Sequence, residues 1–261
     1  MNDLLRQIGQ TLSRIIQREV RMPLPEWCSD STQLSKTLKP GDVLLVDGTQ
    51  NVSVAIKYLT QSTWSHAALY VGKSDLVTDA EGRHEALIEV DLQNGCQIVP
   101  LSSYSKYNTR ICRAHGLSPT HCLQVVQFMH DKIGIKYDLR NIFDLLRYLI
   151  PTPPVPVRWR RRMIALGSGD PSKAICSSLI AQAFQSVHYP ILPTVQRHDP
   201  AANNSSGYSH GEIYHIRHHS LFTPRDFDIS PYFSVIKPAI EADFDYQAFV
   251  WDEKNEAVEK R

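Results

Sequence analysis

Three residues interrupt the local pattern of this chain in ways that chemistry can use. The first is Cys176, in the stretch AICSSLIAQAF (174–184). Behind it Leu179, Ile180, Ala183 and Phe184 recur at helical spacing, and Asp170, Pro171 and Ser172 upstream favour a helix start. A thiol at a helix N-terminus meets unpaired N–H groups and the positive end of the helix dipole, and both favour the reactive thiolate. On this stretch alone a buried structural thiol is the commoner outcome, since free cysteine is among the most buried residue types. A nucleophile needs a base elsewhere in the chain.

His66 supplies the candidate base. It opens the apolar run AALYV directly after Trp64-Ser65, where a polar ring needs a partner because burying imidazole without one costs free energy. The next apolar run, ALIEV, is broken by Glu89. If the two runs are neighbouring strands, the Glu89 carboxylate reaches the His66 ring. Glu89 then orients the imidazole, and the imidazole holds Cys176 as a thiolate; an outward-facing strand residue is the other reading of Glu89.

The remaining histidines are weaker candidates. His84, His115, His121, His130, His188, His198 and His210 fall in expected loops or on helix surfaces. His215, His218 and His219 lie in a polar stretch whose alternatives are a zinc site and, more simply, a solvated loop. The five cysteines (Cys28, Cys96, Cys112, Cys122 and Cys176) form no CxxC pair and no metal-ligand spacing. No metal or cofactor is expected, and an odd, irregular set suits reduced thiols.

These residues need a frame. The 261 residues are 42% hydrophobic and 21% charged, the composition of a globular protein. A net charge of +1 gives no footprint for nucleic acid. Residues 1–20 lack the apolar core and cleavage site of a secretory signal, and no run reaches the ~18 apolar residues of a spanning helix; the expectation is a cytoplasmic chain. Residues 2–20 read as an amphipathic helix with Leu5, Ile8, Leu12, Ile15 and Ile16 on one face and Arg6, Arg14 and Arg18 interspersed. It packs on the domain or, in the sharper reading, makes peripheral contact with a membrane.

Strands are expected at 43–46, 64–72, 86–90, 96–100 and 109–114, the third and fourth joined at Asn94-Gly95. Helical stretches follow at 52–61, from Ser118-Pro119 onward and at 137–150. A proline-rich, basic loop covers 151–162, an extended stretch 189–194, a polar loop 199–220 and strand-like sequence 221–238. The order is that of an α+β domain at 38–238, between an N-terminal helix at 1–25 and a polar tail at 239–261.

Taken in order, GDVLLVDG, WSHAALYVG, ALIEV and AICSSLIAQAF resemble the permuted papain-like family of NlpC-type cysteine hydrolases, in its YiiX-like branch. KYD (136–138) and FTPRDF (222–227) are similar to family segments as well. The family pattern is Gly-Asp opening a strand, Ser-His at the start of the next, Glu in a third, and Cys-Ser on a distant helix; Cys176 lies 110 residues after His66. The resemblance implies a circularly permuted papain-like fold, a small antiparallel sheet or barrel packed against helices. It implies Cys176 as nucleophile, His66 as general base and acid and Glu89 as orienting group, and kinship with lecithin:retinol acyltransferase-type enzymes. The acidic or tyrosyl residue that can precede the cysteine in such enzymes is Ile175 here, so the Cys176 backbone N–H is the expected oxyanion donor. The implied function is thiol-dependent hydrolysis of an amide or ester in a small-molecule, lipid or peptide acyl substrate. The alternatives are acyl transfer by the same residues and a non-catalytic binding module.

Overall fold

The structure is a computed structural model and describes residues 31–91, 94–136, 175–197, 212–215, 217–241 and 247. Its frame is an open six-stranded antiparallel sheet with strand order β4-β3-β2-β1-β5-β8. In chain order the elements are α1 (Ser31–Thr37), β1 (Val43–Asp47), α2 (Asn51–Thr60), β2 (His66–Lys73), β3 (Glu85–Asp91), β4 (Gly95–Pro100), a 3₁₀ turn (Leu101–Tyr104), β5 (Asn108–Ala114), α3 (Pro119–His130) and α4 (Ile175–Ser186). Then come β6 (Thr194–Arg197), β7 (Glu212–His215), a second 3₁₀ turn (His219–Leu221), α5 (Pro224–Asp228), β8 (Phe233–Ile236) and α6 (Pro238–Glu241). The fold is α+β, and the sheet is open rather than a closed barrel.

The central strands are continuous apolar runs because both faces of the sheet are covered. Val43 and Leu45 of β1, with Ala67, Leu69, Ile88 and Cys112, pack under α3 and α4, where Val125, Met129, Leu179, Ile180, Ala183 and Phe184 complete the larger core. The alternate residues Leu44, Val46, Ala68, Tyr70 and Leu87 pack on the other face against Leu34 of α1, Leu101 and Tyr104. Phe184 also meets Phe233 at 5.1 Å between centroids, an edge-on contact that ties α4 to the edge strand β8.

The hairpin β3–β4 forms around Asn94-Gly95, in register Asp91↔Gly95 to Ala86↔Pro100. Gly95 has φ +77°, and a Cβ there would sit 2.2 Å from the Ile135 carbonyl oxygen. That approach lets Cys96 N–H donate to Ile135 O (2.9 Å) and Gly134 N–H to Cys96 O (2.8 Å). The end of the α3 segment thus covers the start of edge strand β4, whose backbone groups would otherwise be unpaired.

The Gly-Asp that opens the β1 segment is a clamp. Asp42 is buried, and its carboxylate accepts Arg113 Nε (2.8 Å) and Nη2 (2.7 Å) from β5 and the Lys39 N–H (2.8 Å). Arg113 Nη2 donates on to Thr37 O (2.8 Å), fixing the end of α1. This is the bidentate geometry that a guanidinium offers a carboxylate.

The structure departs from the sequence reading in the C-terminal third. Within the expected loop 199–220 it forms β7, which pairs with β6 from Thr194↔His215 to Arg197↔Glu212. Val195, Ile213 and Tyr214 are strand-forming types, and polar neighbours masked them. Within the expected strand at 221–238 lies α5. Asp226 Oδ2 accepts the Thr223 N–H (2.8 Å), half of a capping box, and Pro224 occupies the first turn, where its missing N–H costs nothing. The expected helices at 2–20 and 137–150 and the basic loop at 151–162 lie outside the described residues. No helix among the described residues is long and apolar enough to cross a membrane.

Candidate functional site

Successive N–H groups of a strand point to opposite neighbours. Tyr70 N–H donates toward β1, to Asp42 O at 2.8 Å, so Ala67 N–H points the other way, toward β3. The β2–β3 ladder runs from Lys73↔Glu85 only as far as Leu69↔Ile88. Strand β3 continues with β4 to Asp91↔Gly95. The two strands part at His66–Ala68, and the site is built in that opening.

His66 and Glu89 face each other across it. Extending the register sets Glu89 against Ala68, so His66 is its diagonal neighbour on the same face. His66 Nε2 lies 2.7 Å from Glu89 Oε2. The His66 side chain keeps about 25% of its surface exposed, whereas that of Glu89 keeps 11%. A carboxylate so enclosed needs donors, and it has three. Besides His66, Gln97 Nε2 donates to Oε1 (2.8 Å) and the Tyr104 hydroxyl donates to Oε2.

Cys176 enters from the helical layer, in the first turn of α4 and buried within the larger core. Its sulfur is hydrogen-bonded to the His66 ring and accepts the backbone N–H groups of Ala67 and Ser177. The Ala67 N–H that β3 leaves unpaired is therefore used by the thiol. With Nε2 on Glu89, the ring nitrogen left for Cys176 is Nδ1. Behind the cysteine, Ser177 is fully buried and its Oγ donates to Phe222 O (2.8 Å), pinning the start of the helix.

The electrostatics follow from these contacts. Burial pushes the Cys176 thiol up, but the charge and hydrogen bond of His66 and the two N–H donors outweigh it, and the thiol falls below its ordinary value. Burial pushes the imidazole down, and Cys176 and Glu89 together hold it well above its ordinary value. Glu89 is raised by burial and lowered more by His66, Tyr104 and Gln97, to about 2. All three shifts favour thiolate, imidazolium and carboxylate side by side. The other described thiols go the opposite way: burial raises Cys96 to about 11, Cys112 to about 12, and Cys122 above its ordinary value.

The structure thus brings together Cys176, His66 and Glu89, which the sequence singled out, and adds Gln97, Tyr104 and the Ala67 N–H, which it did not. Gln97 had a signal, because the hairpin turn sets it directly opposite Glu89. Tyr104 and Ala67 had none. In the histidine-rich stretch, His215 is in β7, and the rings of His218 and His219 lie 4.1 Å apart between centroids with their planes inclined by 34°. Among the described residues no group of three or more His, Cys, Asp or Glu could hold a metal ion.

Residues 37–145 match the model of a family described as permuted papain-like amidase enzymes, YaeF/YiiX, C92 family. The matched segment contains His66 and Glu89; Cys176 lies beyond it and joins them through the fold. A probable lipoprotein peptidase, YaeF, of Escherichia coli (strain K12) is 23% identical over 170 residues, 59% of this chain. The chain spans 58% of the length of that relative. A crystal structure of the metalloprotein yiiX from Escherichia coli O157:H7 aligns over 77% of this chain and 97% of its own, with 15% identity and a TM-score of 0.46.

Proposed function

We propose, from the premise that residues 37–145 carry the permuted papain-like amidase segment of the YaeF/YiiX type, that this chain hydrolyses an acyl bond through a covalent acyl-cysteine. Cys176 is the nucleophile, His66 the acid and base, and Glu89 the group that orients His66. The observation that carries the reading is the chain of contacts from Glu89 Oε2 through the His66 ring to the Cys176 sulfur at a helix start. The description of the family as amidases, and of the relative as a probable peptidase, favours an amide over an ester.

Each step conserves atoms and charge. The Cys176 thiolate attacks the carbonyl carbon, and the C=O π pair moves onto oxygen. The N–H of Cys176, at the helix start where intrahelical partners are lacking, faces the developing oxyanion. His66 gives its Nδ1 proton to the leaving nitrogen as the C–N bond breaks, leaving a thioester on Cys176 and a neutral imidazole. Water then adds to the thioester with Nδ1 taking its proton. The C–S bond breaks, and the thiolate and imidazolium return. Glu89 remains ionised throughout and keeps Nε2 protonated.

The test is a panel of acyl amides and esters, with peptide and lipid acyl groups, read by intact-protein and peptide mass spectrometry. The expected result is turnover with an acyl adduct on Cys176, and loss of both in Cys176→Ala with the fold intact. Turnover that persists in Cys176→Ala, or an adduct on another residue, contradicts the reading.

A further inference from the structure

Glu89 Oε2 is asked to serve two donors at once, His66 Nε2 and the Tyr104 hydroxyl. The Tyr104 ring also lies against the imidazole, with centroids 6.1 Å apart and planes inclined by only 26°. Tyr104 closes the 3₁₀ turn after β4 and is itself buried, so its position is fixed by packing on the face shared with Leu44, Val46 and Leu101. Tyr107 meets the same ring edge-on, at 6.0 Å between centroids. This is more than a core tyrosine needs. A buried hydroxyl requires one acceptor, and here the acceptor is the oxygen that orients the candidate base.

We propose that Tyr104 is the positioning residue of the site: its hydroxyl shares Glu89 Oε2 with His66 and so tempers the pull of the carboxylate on the imidazolium, while its ring holds the imidazole plane with Nδ1 toward Cys176. The proposal rests on the assignment of Cys176 and His66 as a reacting pair. In this role Tyr104 acts through Glu89 and His66. Removing the hydroxyl leaves Oε2 to His66 alone, so the imidazolium is held more tightly and loses its proton at higher pH. The groups that bear on this titration are Cys176 from α4, Glu89 from β3, Cys96 from β4 and Tyr107 beside Tyr104.

The test is the rate of Cys176 alkylation by iodoacetamide against pH, with His66 followed in parallel by NMR, in the wild type, Tyr104→Phe and Tyr104→Leu. Tyr104→Phe keeps the ring and the packing. It is expected to move the His66 titration upward by about one pH unit, the scale of one hydrogen bond to a charged group. Tyr104→Leu also removes the stacked ring and is expected to lower the maximal alkylation rate by roughly two- to tenfold. A purely structural tyrosine would change the melting temperature and leave the pH midpoint in place. A wild type with low-pKa Cys176 and a Tyr104→Phe profile superimposed on it overturns the role of Tyr104 and leaves the reacting pair standing. A wild type whose Cys176 titrates as an ordinary thiol overturns the pair itself, and the positioning role with it.

Discussion

Replacing Glu89 with glutamine gives a pH-dependent loss of stability whose size can be worked from the site. The carboxyl is held at about 2, against an ordinary value of 4.5, by His66, Tyr104 and Gln97 in an enclosed setting. At ~1.4 kcal/mol per pKa unit the displacement amounts to about 3.5 kcal/mol. The sign follows from proton binding: the unfolded carboxyl takes up a proton more readily than the folded one. The stabilisation is therefore complete above about pH 4.5 and disappears as pH falls through about 2. Glutamine keeps the shape and one acceptor oxygen but cannot be charged. Urea unfolding of both proteins, followed by tryptophan fluorescence at several pH values from 7 to 2.5, measures the difference. The expected gap is about 3.5 kcal/mol near pH 6 and shrinks by about 1.4 kcal/mol per unit in the acid range. A gap that stays constant with pH refutes the idea that the Glu89 charge, rather than its bulk, is what the site stabilises.

Two further substitutions test the frame that holds the site. Asp42→Asn leaves the Arg113 guanidinium short of its buried partner, and the expected loss is about 3 kcal/mol in urea unfolding; a loss below about 0.5 kcal/mol, the scale of an exposed pair, would show that the clamp is dispensable. Gly95→Ala places a methyl group against Ile135 O and demands positive φ of an L-residue. It is expected to lower the melting temperature and to speed hydrogen exchange at Cys96 and Gly134, whereas unchanged exchange at those two amides contradicts the docking of the α3 end on β4.

The central sheet was legible because its strands are continuous apolar runs closed by turn residues, as in VLLV and in the hairpin at Asn94-Gly95. His66 and Glu89 stood out as polar breaks in those runs, and Cys176 as a thiol before an apolar helical stripe. What was not legible depends on tertiary contact. Nothing local in LSSY marks Tyr104 as a partner of Glu89, and nothing in GDV marks Asp42 as the anchor of an arginine on β5. The parting of β2 from β3 that frees the Ala67 N–H is a property of the sheet, not of any segment. Helix α5 was missed for a different reason: its cap, Thr223-Pro224-Arg225-Asp226, is a local signal, but the aromatic residues around it read as strand. Strand β7 was hidden because its few strand-forming residues sit among polar ones and its partner β6 is fixed by tertiary pairing.

The most direct test of the central claim is the pH dependence of Cys176 alkylation, read on its own peptide by mass spectrometry, in the wild type and in His66→Ala. Cys176 pairs with an imidazole and two N–H donors, so alkylation is expected to be rapid with a midpoint below that of an ordinary thiol, and His66→Ala should return it to an ordinary thiol. Cys96, Cys112 and Cys122 should lag behind throughout, since burial raises all three. Slow alkylation of Cys176 that removal of His66 leaves unchanged would make it a core thiol and would contradict the account.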